Sequence, residues 1–166
     1  MISTIPLGAL VEIVEPGAPD DVLEAARGLE FRSVITANVM LRKEQVTRDT
    51  WLYVHDEQVG FARIHEPKNW SADMCPPDTT SVCAEWFCTK GDDVWSLADE
   101  EIVERTVAHL ADDLGFIDRS EVIDGFALRA HHAYPVYSLD YGGRVARLKD
   151  FLRGFESRIS IAGRGG

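Results

Sequence analysis

Apolar and polar positions alternate through the middle of the chain. In 31–42, Phe31, Ile35, Ala37, Val39 and Leu41 share one parity, while Arg32, Thr36, Asn38 and Arg42 share the other. Strand side chains point to opposite faces in turn, so this period of two predicts a strand with one buried side. Shorter strands are predicted at 50–55 and 61–66. Residues 80–88 form another, with Val82, Ala84, Trp86 and Cys88 on its apolar side. Residues 121–131 form a further one, with Val122, Phe126, Leu128 and Ala130 inward. The stretch PKNWSADMCPPDT between these strands carries three prolines and no period, and predicts a loop.

Elsewhere the period is helical. Residues 5–15 read as a short apolar helix opened by Pro6, a residue suited to a first turn. Asp20 or Asp21 caps a second helix that runs to Leu29, with Val22, Ala26 and Leu29 on one side. In 99–114, Val103, Val107, Leu110 and Leu114 recur at helical spacing, and Gly115 ends the run. Asp99, Glu100 and Glu101 put negative charge at the start of that helix, where it offsets the dipole. Val145, Leu148, Leu152 and Phe155 stripe 143–155, and RISIA forms a last strand. Helices, consecutive strands, then helix, strand, helix and strand predict an α+β fold. Its sheet is mixed and mainly antiparallel, with helices packed on one face.

Composition narrows the function. Lys and Arg number 17 against 28 Asp and Glu, for a net charge of −11 over 166 residues. Neutralising phosphates needs a basic surface, so a nucleic-acid binder is excluded. No apolar run is long enough for a membrane helix, and MISTIPLGALVEIVEP lacks the basic start of a signal peptide. Cys75, Cys83 and Cys88 form an odd set. With no secretory signal, they point to reduced thiols and a cytoplasmic protein. Neither the cysteines nor His55, His65, His109, His131 and His132 fall in a CxxC or HExxH pattern, so no metal site is expected.

The strand faces turned away from the apolar core carry the chemistry. By alternation they hold Thr36, Asn38, Tyr53, His55, Arg63, His65, Glu85, Arg129 and His131. Antiparallel sheets commonly leave one face to water, and that face is usually rich in Lys, Glu and Thr. Arg, His, Tyr and Asn suit a bound ligand better. A single bulge would invert part of this list. Singly, each candidate has two readings. Glu85 is a general base or a paired carboxylate, and His65 is an acid–base group or a hydrogen-bonded structural residue. Tyr134, Tyr137 and Tyr141 stack on a ligand or pack on the sheet. Arg63 and Arg129 suit carboxylates or a diphosphate, which guanidinium matches in geometry. GxSxG, Walker and paired-carboxylate signatures are absent, so the residues alone describe a ligand-binding domain with no catalytic set assigned.

Five stretches taken in order carry a family resemblance: ISTIPLGALVEIVEP, RIHEPKNWS, AEWFCTKGDDVW, AYPVYSLDY and ISIAGRGG. Together they resemble the C-terminal half of FAD-dependent amine-oxidase-type flavoproteins. The similarity is to the protoporphyrinogen-oxidase-like and UDP-galactopyranose-mutase-like group. Such proteins bind FAD through a βαβ fold bearing GxGxxG, which this chain lacks. The resemblance therefore implies residues 1–166 as one substrate-binding domain resembling that of p-hydroxybenzoate hydroxylase. Its ends, 1–6 and 159–166, would be junctions to an FAD-binding domain of the same parent chain. It implies a sheet that roofs the flavin cavity over a small-molecule substrate, with Asn38, Arg63, His65, Glu85, Arg129 and Tyr137 toward substrate. Gly163, Arg164 and Gly165 would lie near FAD. The flavin-facing lysine of true amine oxidases has no counterpart in SVITANV, which carries Thr36, Ala37 and Asn38. The expectation is a domain inactive alone within an FAD-dependent oxidoreductase. The alternatives are part of a mutase-like isomerase or a stand-alone binding module. A piece of this kind is expected to self-associate through an exposed face or sheet edge.

Overall fold

The computed structural model describes residues 1–163 and shows two compact units. The first is built from Met1–Phe31 and the chain from Tyr134 onward, and the second from Arg32–Ala133.

In the first unit, α1 (Leu7–Ile13), α2 (Asp20–Arg27) and α4 (Tyr141–Arg153) pack together. Leu7, Leu10, Val11, Val22, Ala25, Ala26, Leu148 and Leu152 form the core. The predicted stripes thus recur in place. The capping expectation does not: α2 starts after Pro19 with no side-chain cap, and Asp20 and Asp21 lie in its first turn. There their charges still meet the positive end of the dipole. Strands β1 (Ile2–Ser3) and β7 (Ser160–Ile161) pair in parallel and hold the two ends of the described chain side by side.

The second unit is a sheet of five strands in the order β3-β4-β5-β2-β6. These are β2 (Phe31–Leu41), β3 (Trp51–Tyr53), β4 (Arg63–His65), β5 (Thr80–Cys88) and β6 (Val122–Pro135). The β3–β4, β4–β5 and β5–β2 pairings are antiparallel. The chain is thus mixed helix and sheet with a mainly antiparallel five-stranded sheet. Ile35, Ala37, Val39 and Leu41 of β2 and Val82, Ala84, Trp86 and Cys88 of β5 are buried against Ile102, Val107 and Leu110. Of these, Ile102 and Val107 belong to α3 (Asp99–Ala108), which continues into a π-helical turn, His109–Asp113. In that turn His109 Nδ1 meets Asp113 at 2.7 Å, and Nε2 accepts from the Gly60 N–H at 3.3 Å. Gly60 has no substitute, because a Cβ there would stand 2.1 Å from Trp86 Cζ3.

A buried polar chain crosses the core between β5 and α3. The Trp86 indole N–H donates to Thr106 Oγ1 at 2.9 Å, and that hydroxyl donates to the Ile102 carbonyl at 2.7 Å. Thr106→Val keeps the shape but leaves the indole N–H buried without an acceptor. It should cost about 1–3 kcal/mol, read by urea unfolding.

Strand β6 departs from the predicted alternation. Val122 and Ala127 both pack on the core although they are five residues apart, so the alternation slips once between them. Beyond the slip, Ala127 and Gly125 face α3. A Cβ at Gly125 would come within 2.5 Å of Val103 Cγ1, so the helix crosses close here. Phe126 and Leu128, expected inward, lie on the opposite face at 46% and 59% exposure. Arg129, expected on the open face, lies on the helix side. It donates to the Trp95 and Leu97 carbonyls and pairs with Asp99 at the start of α3. His131 shares that side, its ring 6.1 Å from Trp95. The stretch after β4 is also more ordered than its prolines suggest, with single 3-10 turns at Pro67–Asn69 and Ala72–Met74.

Candidate ligand-binding face

The sheet face away from α3 is organised in rows that cross the strands. Register places Tyr53, Arg63, Glu85 and Thr36 side by side in one row, and Trp51, His65, Cys83 and Asn38 in the next. Four of the residues expected to bind substrate, Asn38, Arg63, His65 and Glu85, therefore stand together in adjacent rows. His55 falls beyond the end of β3 and is exposed.

Charge is concentrated at one pair. Glu85 is 5% exposed, and its Oε1 accepts from Arg63 Nε at 2.9 Å. Its Oε2 accepts from Arg63 Nη2, so the guanidinium grips both oxygens. Burial alone would push the Glu85 carboxyl up, but the His65 ring and the Arg63 guanidinium outweigh it and hold the group below the ordinary range. Arg63 also lies over the Trp51 ring, with Cζ 4.5 Å from its centroid, and is flanked by Tyr53 and Phe87. Both predicted arginines are thus already engaged, Arg63 on this face and Arg129 on the other.

Beside the pair lies a nest of rings. His65 stands 5.1 Å from Trp51 and 5.2 Å from Trp70, and the two indoles are 5.2 Å apart. Trp51 and Trp70 remain 43% and 50% exposed. Large apolar rings seldom stay half in water without a partner or ligand to cover them. Cys83 sits in the same row as His65, but burial, with the charge of Glu85, pushes its thiol up to about 12. It is a packed hydrophobe, not a nucleophile.

A second set of side chains holds this face in shape. Glu66 is fully buried and accepts from the Val46 and Thr47 amides, at 3.0 and 2.9 Å, and from Thr80 Oγ1 at 2.5 Å. Asn69 Nδ2 reaches the Thr47 and Asp49 carbonyls, and Lys68 Nζ reaches those of Glu44 and Thr79. The RIHEPKNW stretch is therefore divided in its use. Arg63, His65 and Trp70 face the open side, while Glu66, Lys68 and Asn69 tie down the loop that leads into Trp51. Sequence reasoning missed Trp51, Trp70, Phe126, Leu128 and Glu66. For Trp51 a signal existed in its parity with Tyr53.

Tyr137 belongs to the first unit, is 77% exposed and rests edge-on against Tyr141 at 5.0 Å. Gly163 has φ +78, a conformation that suits glycine, while Arg164 and Gly165 lie outside the described residues. Among the described residues no strand–turn–helix carries GxGxxG. Also among them, no group of three or more His, Cys, Asp or Glu is placed to hold a metal, and no helix is long and apolar enough to cross a membrane.

Residues 1–153 match the family model for flavin-containing amine oxidoreductases. No curated protein matches. Among solved structures, the chain is similar to a reduced UDP-galactopyranose mutase at 17% identity and TM-score 0.76, over 98% of this chain and 35% of that one. It is also similar to a protoporphyrinogen oxidase-like protein from Exiguobacterium sp. 255-15, at 17% identity and TM-score 0.70, over 99% of this chain and 36% of that one. An oxidoreductase from Methanosarcina mazei matches at 14% identity and TM-score 0.59, over 99% of this chain and 37% of that one. The chain spans about a third of the length of these structures, and at such identities the likeness is one of fold.

Proposed function

The chain belongs to the family of flavin-containing amine oxidoreductases, and on that premise we propose that it is the substrate-binding part of an FAD-dependent oxidoreductase. The open face of its five-stranded sheet forms one wall of the substrate cavity. The observation that carries this reading is the face itself: a gripped Arg63–Glu85 pair beside half-exposed Trp51 and Trp70, with exposed Phe126 and Leu128 on β6. A face meant only for water gains nothing from exposed indoles, whereas a small-molecule wall combines apolar rings with a few fixed polar groups.

The residues of the wall shape, orient and exclude water, and bound FAD supplies the redox chemistry. FAD is held by a second domain, since the described residues carry no GxGxxG turn. The parallel pairing of β1 with β7 suits a chain that enters from such a domain and returns to it at one place. Within this reading the sheet corresponds to a p-hydroxybenzoate-hydroxylase-like substrate domain. Three unpaired cysteines suit a reducing, cytoplasmic setting.

The oxidoreductase reading is preferred to a nucleotide-sugar mutase on one observation. A diphosphate needs a free guanidinium clamp, and Arg63 and Arg129 are both committed to protein partners. The test is visible absorbance, with and without added FAD, on this chain and on the full reading frame. Flavin bands should appear only in the longer protein. Stoichiometric flavin bands in the 166-residue chain would overturn the assignment.

A further inference from the structure

We infer that His65 is the proton-accepting residue of the wall, with its ring set by Glu85. The ligand it serves is a planar molecule carrying a hydroxyl or N–H donor, and this rests on the face being the substrate wall. Among the described residues, one buried side-chain nitrogen or oxygen lacks a hydrogen-bond partner, and it is His65 Nδ1. It stands 3.5 Å from Glu85 Oε1. A neutral imidazole has one N–H and one bare nitrogen. The Glu85 carboxylate, gripped by Arg63, is an acceptor only. A bare Nδ1 would set a lone pair against that anion, whereas Nδ1–H donates to it after a closure of half an ångström or so. The proton therefore sits on Nδ1, and Nε2 is the bare nitrogen.

Nε2 lies on the far side of the ring from Cγ, and that ring stands 5.1 Å from the Trp51 indole and 5.2 Å from that of Trp70. A planar ligand resting on those half-exposed rings brings a donor to it. The competing groups are spent: both oxygens of Glu85 are taken by Arg63, and the Cys83 thiol is buried. The step is a plain proton transfer. The ligand's O–H or N–H proton passes to the Nε2 lone pair, the bonding pair stays on the ligand, and the imidazolium charge faces Glu85. The proton then leaves to solvent, and no electron changes owner. Glu85 acts through His65 and is a positioning residue.

The test uses the ¹⁵N-labelled 166-residue chain and long-range ¹H–¹⁵N correlation of the imidazole. Wild type should show Nδ1–H with a bare Nε2. In Glu85→Gln, Arg63 claims the amide oxygen and turns the NH₂ toward His65, so the ring should switch to Nε2–H. A wild-type Nε2–H ring, or a tautomer unchanged in the variant, overturns the inference. Phenol then serves as a planar hydroxyl donor, and toluene as the same shape without one. Phenol should move Nε2 of His65 and the Trp51 and Trp70 indole signals, and toluene the indoles alone. Phenol that moves the indoles and leaves Nε2 in place overturns the role of His65 while the wall stands. Phenol that moves none of the three overturns the wall as well. Should Glu85→Gln fail to fold, the wild-type tautomer and the phenol titration decide.

Discussion

Glu85→Ala is expected to cost about 3–5 kcal/mol of folding stability, among the largest losses any single change on this face can produce. The reason is asymmetric. Arg63 and Glu85 are 15% and 6% exposed at their side chains and face each other across β4 and β5. Removing the carboxylate takes from the guanidinium against Trp51 the anion that grips it through two nitrogens, at a site with little water. Replacing both partners, as in Arg63→Met with Glu85→Leu, leaves no orphan charge and should cost far less than the single change. Urea unfolding of the two single variants and the double variant measures this, and a double variant as unstable as the sum of the singles would refute it. The pair also predicts an acid limb. Glu85 titrates below its ordinary value of 4.5 when folded, so its contribution is complete above that value. It is lost as pH falls through the lower, folded value, because the unfolded chain then binds the proton first. The stability gap between wild type and Glu85→Gln should therefore narrow only below the ordinary carboxylate range, and stay level above it.

How much of this was legible from residues alone differs by element. Strands β2 and β5 are long, alternate cleanly and lie in the middle of the sheet, so their parity put Ile35, Ala37, Val39 and Trp86 in the core and Glu85 outside it. Helix α4 was equally plain, because Leu148 and Leu152 must share a face at that spacing. Strand β6 misled. One slip between Val122 and Ala127 reversed every side chain after it, moving Arg129 to α3 and Phe126 and Leu128 to the open face. Period two offers no protection against one extra residue. The π-helical turn at His109–Asp113 hid inside an unbroken helical stripe. Trp51 and Trp70 were missed for a different reason. A large aromatic residue reads as core in a sequence, and only the structure shows that they stay half exposed beside His65.

Glu66 shows what a sequence cannot reveal about a carboxylate. It sits in RIHEPKNW between residues that face the open side, yet it is fully buried and its hydrogen bonds come from neutral donors. Its closest partners are the Val46 and Thr47 amides and the Thr80 hydroxyl, with Asn69 Nδ2 farther off at 3.4 Å, and together they anchor the loop before β3. Glu66→Ala strips the three closest donors of their acceptor. At about 1–3 kcal/mol for each buried orphan, partly relieved by water entering the gap, the expected loss is about 3–4 kcal/mol. Glu66→Gln keeps one acceptor oxygen but sets an NH₂ against donors, and should fall between the two. The loss should have a direction in space as well as a size. Hydrogen exchange in Glu66→Ala should rise in 44–53, where the loop enters β3, and stay low in 82–88 of β5, whose partners are untouched. A uniform rise over both segments would mean that Glu66 supports the whole unit instead of this loop. Trp51 would then owe its place to strand pairing with His65 alone.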